Sequence, residues 1–180
     1  NNNITNLGNG RGISFTLSGS DYAVITGNII NISGGNGIYI NGIGINITNT
    51  TITSTGSNPA IHIAALNNGT LRGLTIRTAG SLAYGISVST TSDSNFEMFD
   101  SILNASGTSD FFVDTNTVGG IWNLTNVTGS AEGIDKNWTS GANGTLNIHW
   151  YLDAEVKDSI SGNPVNQANV TAWNKFDIFQ

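Results

Sequence analysis

Gly12-Ile13-Ser14-Phe15, Gly37-Ile38-Tyr39-Ile40, Ala60-Ile61-His62-Ile63, Gly85-Ile86-Ser87-Val88, Asp110-Phe111-Phe112-Val113 and Gly133-Ile134-Asp135-Lys136 are six versions of one tetrapeptide. Their second residues lie 25, 23, 25, 25 and 23 positions apart. Self-similarity at such a period is the mark of a repeat architecture, in which one supersecondary unit stacks on the next. Seven to ten residues before each tetrapeptide lies a second apolar anchor, at Ile4, Ile30, Ile52, Ile76, Ile102 and Val127. A third precedes several of those by five residues, at Ile25, Ile47, Leu71 and Trp122. The period therefore holds three short strands.

Within each tetrapeptide the second and fourth residues are mostly apolar and the third is Ser, Tyr, His, Ser, Phe or Asp. That alternation places one set of side chains inside and the other outside. Strands this short, separated by Gly, Asn, Ser and Thr, pair with their equivalents one coil further on, as parallel strands about 4.8 Å apart. The expected fold is all-β: a parallel β-helix of about six coils over residues 1–148, with a C-terminal strand pair. Ile13, Ile38, Ile61, Ile86, Phe111 and Ile134 are expected as one continuous core row. A right-handed coil follows from the crossover preference of parallel β connections.

Composition agrees. The chain has 180 residues, of which 26 are Asn, 23 Gly, 21 Thr and 18 Ser, with 22 Ile among them. These polar residues are poor helix formers, whereas β-branched Ile and Thr suit strands. The net charge of −6 lacks the basic footprint that nucleic-acid binding requires. No apolar run reaches the 18 residues of a membrane span, and Asn1-Asn2-Asn3-Ile4-Thr5 has no leader-like pattern. With no cysteine, neither a disulfide framework nor a thiolate metal site can form. No cofactor is expected.

The period and its Gly-Ile-x-Ile punctuation resemble the right-handed parallel β-helix repeat proteins of the pectin-lyase-like type, especially the Asn-, Thr- and Ile-rich examples on archaeal and bacterial surfaces. The resemblance covers roughly residues 1–148 and implies an extracellular, cell-surface location. Trp138 and Trp150 lie where the repeat decays, and 137–150 reads as a capping stretch. From Tyr151 the pattern changes to strand, turn, strand, with Gly162-Asn163-Pro164 as the turn. Residues 149–180 thus read as a cap and a partial β element. The run Gly162-Asn163-Pro164-Val165 followed by Ala168-Asn169-Val170-Thr171 resembles the opening of immunoglobulin-like modules related to carboxypeptidase regulatory domains. About 30 residues cannot close such a sandwich, so truncation, packing across the helix end or completion by another subunit are all open. The N-terminal strands lack a cap, and exposed parallel edges invite further pairing. Self-association through the β-helix ends or the C-terminal strands is therefore expected.

Polysaccharide chemistry on this fold would need clustered carboxylates beside a basic residue. Asp93, Glu97, Asp100, Asp110 and Asp114 fall within 22 residues, with Arg72 and Arg77 one coil earlier. They read as scattered turn and surface charges, so no catalytic or metal site is assigned. His62 stands in an outward row with Ser14, Tyr39, Ser87 and Phe112, but without a paired Asp it does not read as a nucleophilic triad. Tyr39, His62 and Phe112 read as a shallow sugar-stacking surface. Asn-x-Ser/Thr occurs eleven times, at Asn3, Asn31, Asn46, Asn49, Asn68, Asn104, Asn123, Asn126, Asn137, Asn143 and Asn169. Chance from composition gives about six, and Asn also suits turns. Regular threonine ranks of the kind that bind ice are not expected. Together these features predict a non-enzymatic structural or adhesive building block of a surface layer, sheath or filament, carrying N-linked glycans. A polysaccharide-binding or lyase-like β-helix is the alternative.

Overall fold

The computed structural model describes residues 2–6, 8–16, 22–81, 83–106, 109–130, 133–151 and 155–165. The chain divides into two units, Asn1–Trp150 and Tyr151–Gln180. The first is a parallel β-solenoid. Its strands are β1 (Asn3–Asn6), β2 (Ile13–Thr16) and β3 (Ala23–Thr26), then β4 (Ile29–Ile32), β5 (Ile38–Ile43) and β6 (Ile45–Thr48). Next come β7 (Thr51–Ser54), β8 (Ile61–Arg72), β9 (Thr75–Thr78), β10 (Tyr84–Val88) and β11 (Asn95–Ala105). The last are β12 (Ser109–Val113), β13 (Ile121–Thr128), β14 (Lys136–Trp138) and β15 (Thr145–His149).

Every strand pairing within this unit is parallel and joins one coil to the next, making three ladders. Ladder I runs β1, β4, β7, β9 and the end of β11, and finishes on the end of β13. Ladder II runs β2, β5, the start of β8, β10, β12 and β14. Ladder III runs β3, β6, the end of β8, the start of β11, β13 and β15. Six rungs per ladder make about five complete turns. The expected parallel β-helix is present, and among the described residues there is no helix.

The core is a set of stacked rows. In ladder II, Ile38, Ile61, Ile86 and Phe111 form one fully buried row, and Ile40, Ile63, Val88 and Val113 form its parallel neighbour. Ile47, Leu71, Met98 and Leu124 do the same in ladder III. Parallel in-register pairing lets identical β-branched residues interlock rung on rung, which explains the isoleucine excess.

Three registers differ from the sequence reading. Leu103, not Ile102, pairs with Ile76. Val127 pairs with Ser101, at the corner before the ladder I strand rather than within its inward row. At the sixth rung Lys136 pairs with Phe111 and Trp138 with Val113, so the strand lies two residues beyond the expected tetrapeptide. Ile134 remains buried, but beside the row rather than in it. Residues 137–150, read as a cap, instead supply most of β14, which begins at Lys136, and all of β15. Trp138 closes the row by packing against Phe111 and Trp122, with ring centroids 6.2 and 6.3 Å away.

The corner between ladders III and I explains the first two shifts. Gly27, Asn49, Gly73, Asp100 and Asn126 form a column of left-handed residues, with φ of 65°, 49°, 62°, 49° and 54°. Glycine, asparagine and aspartate are the residues that enter this region at least cost. The residue after each one, Asn28, Thr50, Leu74, Ser101 or Val127, turns inward and is buried. Where that residue is polar, its side chain donates to the carbonyl two positions earlier: Asn28 to Thr26, Thr50 to Thr48 and Ser101 to Phe99, at 3.1, 3.0 and 2.6 Å. Each coil thus gains one buried corner residue before the ladder I strand begins.

The second unit is described over Tyr151 and 155–165. Lys157 and Pro164 form an antiparallel bridge, and the Val165 N–H donates to the Val156 carbonyl at 2.9 Å. The turn lies at Asp158 to Gly162, where Asp158 Oδ1 accepts from the Ile160 and Ser161 N–H groups at 3.1 and 2.7 Å. Asn163 and Pro164 therefore belong to the returning arm, not to the turn. The remainder of the expected strand, including Asn169, lies outside the described residues.

Candidate functional site

The outward face of ladder II carries the chemistry most unlike the rest of the surface. Strand register lines up Ser14, Tyr39, His62, Ser87, Phe112 and Asn137, one per rung. Tyr39 and His62 stack with ring centroids 5.4 Å apart and planes within 15°. The Arg11 guanidinium lies 3.5 Å from the centre of the Tyr39 ring, and its Nη1 donates to Ser14 Oγ at 3.3 Å. Tyr84, three residues before Ser87, stacks on Phe112 at 4.0 Å and 9°. Parallel strands present successive rings face to face. Arg11 belongs to the coil before Tyr39 and His62 to the coil after it, so the two faces of the Tyr39 ring are already engaged.

His62 is held below the ordinary histidine pKa, first by burial and second by the positive charge of Arg11, against an opposing pull from Asp114. Burial would raise the Asp114 carboxyl. Hydrogen bonds from Ser89 Oγ, from the N–H and Oγ1 of Thr115 and from Asn116 Nδ2 outweigh it and lower the pKa. Sequence reading left His62 without an acidic neighbour. Asp114 comes within electrostatic reach because it follows β12, two rungs beyond His62. Ser89 donates to Asp114 at 3.0 Å, which is not the serine–histidine–carboxylate order of a nucleophilic triad.

The five acidic residues of the fourth and fifth coils are separated by the fold. Asp100 takes the corner column, where Oδ2 accepts from Arg72 at 3.0 Å and Oδ1 from Asn126 Nδ2 at 3.0 Å. Glu97 is on the outer face of ladder III and Asp114 on that of ladder II. Asp93 is exposed in the turn before β11. Asp110 is fully buried, a correction to its reading as a turn or surface charge. Its Oδ1 accepts from the Ala105 N–H, and its Oδ2 from Ser130 N–H, Ser130 Oγ and Asp135 N–H, at 2.9, 2.9, 3.1 and 3.1 Å. Among the described residues no three His, Asp or Glu side chains converge on a metal position.

Two other faces carry depressions. Over ladder III a groove of about 510 Å³ is lined by residues that include Asn68, Thr70, Asn95, Glu97, Ile121 and Asn123. Over ladder I two shallow hollows, about 240 and 260 Å³, adjoin at Thr53; Asn31 lines the first, Arg77 and Asn104 the second. The outward row there is Thr5, Asn31, Thr53, Arg77 and Asn104, an irregular mixture rather than a threonine rank.

The sequons distribute unevenly. Asn3, Asn31 and Asn104 are on ladder I, and Asn46 and Asn123 on ladder III. Asn49 and Asn126 occupy the corner column, and Asn68 and Asn143 lie at or before ladder III strands. Asn137, on the last rung, is the one described sequon on ladder II. Asn126 already uses its amide in the bond to Asp100, and Asn46 Oδ1 accepts from the Thr70 N–H at 3.1 Å. The repeated words Asn68-Gly-Thr-Leu and Asn143-Gly-Thr-Leu are not equivalent: Leu71 shares its row with Ile148, whereas Leu146 pairs with Trp122. Comparison of the chain with protein families, with curated proteins and with solved structures gives no match.

Proposed function

We propose that this chain is a non-enzymatic structural or adhesive element of a cell surface, exported and carrying N-linked glycans, built on a right-handed parallel β-helix of the pectin-lyase-like type. Its C-terminal hairpin opens an immunoglobulin-like module in this reading. The supporting observation is that outward side chains are engaged with the next rung. Arg11, Tyr39 and His62 stack on one another, Asn147 Nδ2 donates to Asn123 Oδ1 at 2.9 Å, and Thr48 Oγ1 to Thr26 Oγ1 at 2.9 Å. Such external ladders stiffen a solenoid whose coils touch only their neighbours.

Self-association and a surface location belong to the same proposal. The test is to image material from its native source, unstained and in ice, with peptide mass spectrometry of the sequons. Ordered sheets or filaments with added mass on Asn68, Asn104 or Asn143 are expected. Dispersed, unmodified monomers would overturn the reading.

A second reading, polysaccharide binding, is favoured by the ladder III groove, where amides, hydroxyls and the Glu97 carboxylate surround the exposed Ile121. The two readings compete there, because glycans on Asn68 and Asn123 would fill that groove. Glu97→Ala should abolish any saccharide binding in that groove if the second reading holds.

A further inference from the structure

We propose that the outward face of ladder II is a self-complementary interface for a second copy of this chain, packed face to face about a two-fold axis near His62. The inference rests on the structural reading above and names a lateral surface, distinct from the β-helix ends and the C-terminal strands, through which the building block also associates.

Three independent observations converge on it. The first is the sequon map: described sequons lie on ladder I, on ladder III and at the turns, and ladder II has only Asn137, at its last rung. Glycans would therefore coat two faces and leave this one accessible. The second is chemical. The face carries the rings of Tyr39, His62, Tyr84 and Phe112, each half-buried by its stacking partner and the strands below, with the rest open. Aromatic side chains in rigid stacks are the anchors that protein interfaces favour.

The third is charge placement. Arg11 is exposed at the first rung, just before β2. Asp114 follows β12 at the fifth rung. They stand two rungs to either side of the rung that carries His62, roughly 19 Å apart along the solenoid at about 4.8 Å per rung. A two-fold axis perpendicular to the line joining them brings Arg11 of one copy to Asp114 of the other, and the reverse. That arrangement is isologous, as a closed homodimer requires. Neither charge has an ion-pair partner among the described residues.

Five rungs of five-residue strands cover roughly 400 Å² on each copy, half of a standard interface. The isolated contact is accordingly weak, and gains strength where a surface layer repeats it.

The decisive experiment is sedimentation equilibrium of the full 180-residue chain, unglycosylated, from 10 μM to 1 mM. Wild type is expected to associate reversibly to a dimer. Arg11→Glu and Asp114→Arg should each weaken association at least tenfold, and the double variant should recover it, because the exchanged charges again meet across the axis. Circular dichroism and a thermal melt establish that each variant is folded. A wild type that stays monomeric to 1 mM overturns the inference, as do single variants that dimerise like wild type or a double variant that does not recover. If native material is nevertheless an ordered lattice, only this choice of face fails; if it is dispersed as well, the structural reading falls with it.

Discussion

Leu103 pairs in register with Ile76 and is fully buried, while its neighbour Ile102 turns outward and is 46% exposed. The two residues differ little in size or hydropathy, so their substitutions separate burial from composition. Leu103→Ala should cost about 2–4 kcal/mol, the transfer and cavity terms together. Ile102→Ala should fall within about 0.5 kcal/mol, as surface changes do. Urea unfolding of both variants checks this, and equal losses would mean the register is wrong.

The same pair shows how far the sequence could be read. Alternation at the Gly-Ile-x-Ile strands is sufficient to place the first five rungs of ladder II, because a one-residue slip would drive Tyr39 or His62 into the core, but not the sixth, where the tetrapeptide ends on Lys136. At Ile102-Leu103 either residue could be the inward one, and hydrophobicity could not choose. The missing signal was conformational: Gly27, Asn49, Gly73, Asp100 and Asn126 each mark a left-handed corner, and counting from those fixes the phase. Asp114 and its link to His62 were hidden for another reason. They are 52 residues apart, and only stacking two further coils brings them to one face.

Asp110 holds together the coil that precedes the last rung. Four donors reach its two oxygens in the absence of solvent, and three of them lie on the following coil. Asp110→Ala leaves the buried Ala105 N–H, and the N–H groups of Ser130 and Asp135, without an acceptor, a loss of about 2–4 kcal/mol. Asp110→Asn keeps one acceptor oxygen and should cost about half as much. Amide hydrogen exchange at Ser130 and Asp135 reports the effect locally; unchanged protection there in Asp110→Ala would remove the carboxylate from its role.

The left-handed corner gives a conformational test. At Asn49, φ is 49°, a region that β-branched residues enter only with strain. Asn49→Val should destabilise by about 1–2 kcal/mol, although the side chain is exposed. Asn49→Gly should be neutral within about 0.5 kcal/mol. A surface position that tolerates glycine and rejects valine is explained by backbone alone, and thermal melts of the two variants would show the reverse order if the corner were extended.

His62 makes stability depend on pH in a defined direction. Its folded pKa lies below the ordinary value of 6.5, through burial and then the charge of Arg11. Below that ordinary value the unfolded chain takes up the proton first, so stability falls as pH drops through it and levels off below the folded pKa. His62→Gln should remove this contribution to the slope. Arg11→Met keeps the aliphatic stem over Tyr39 but deletes the cation, so His62 should titrate closer to the ordinary value while burial keeps it lowered. An NMR titration of the imidazole in wild type and Arg11→Met measures both shifts. A wild-type His62 that titrates at or above the ordinary value would mean that Asp114, not Arg11 and burial, controls the ring.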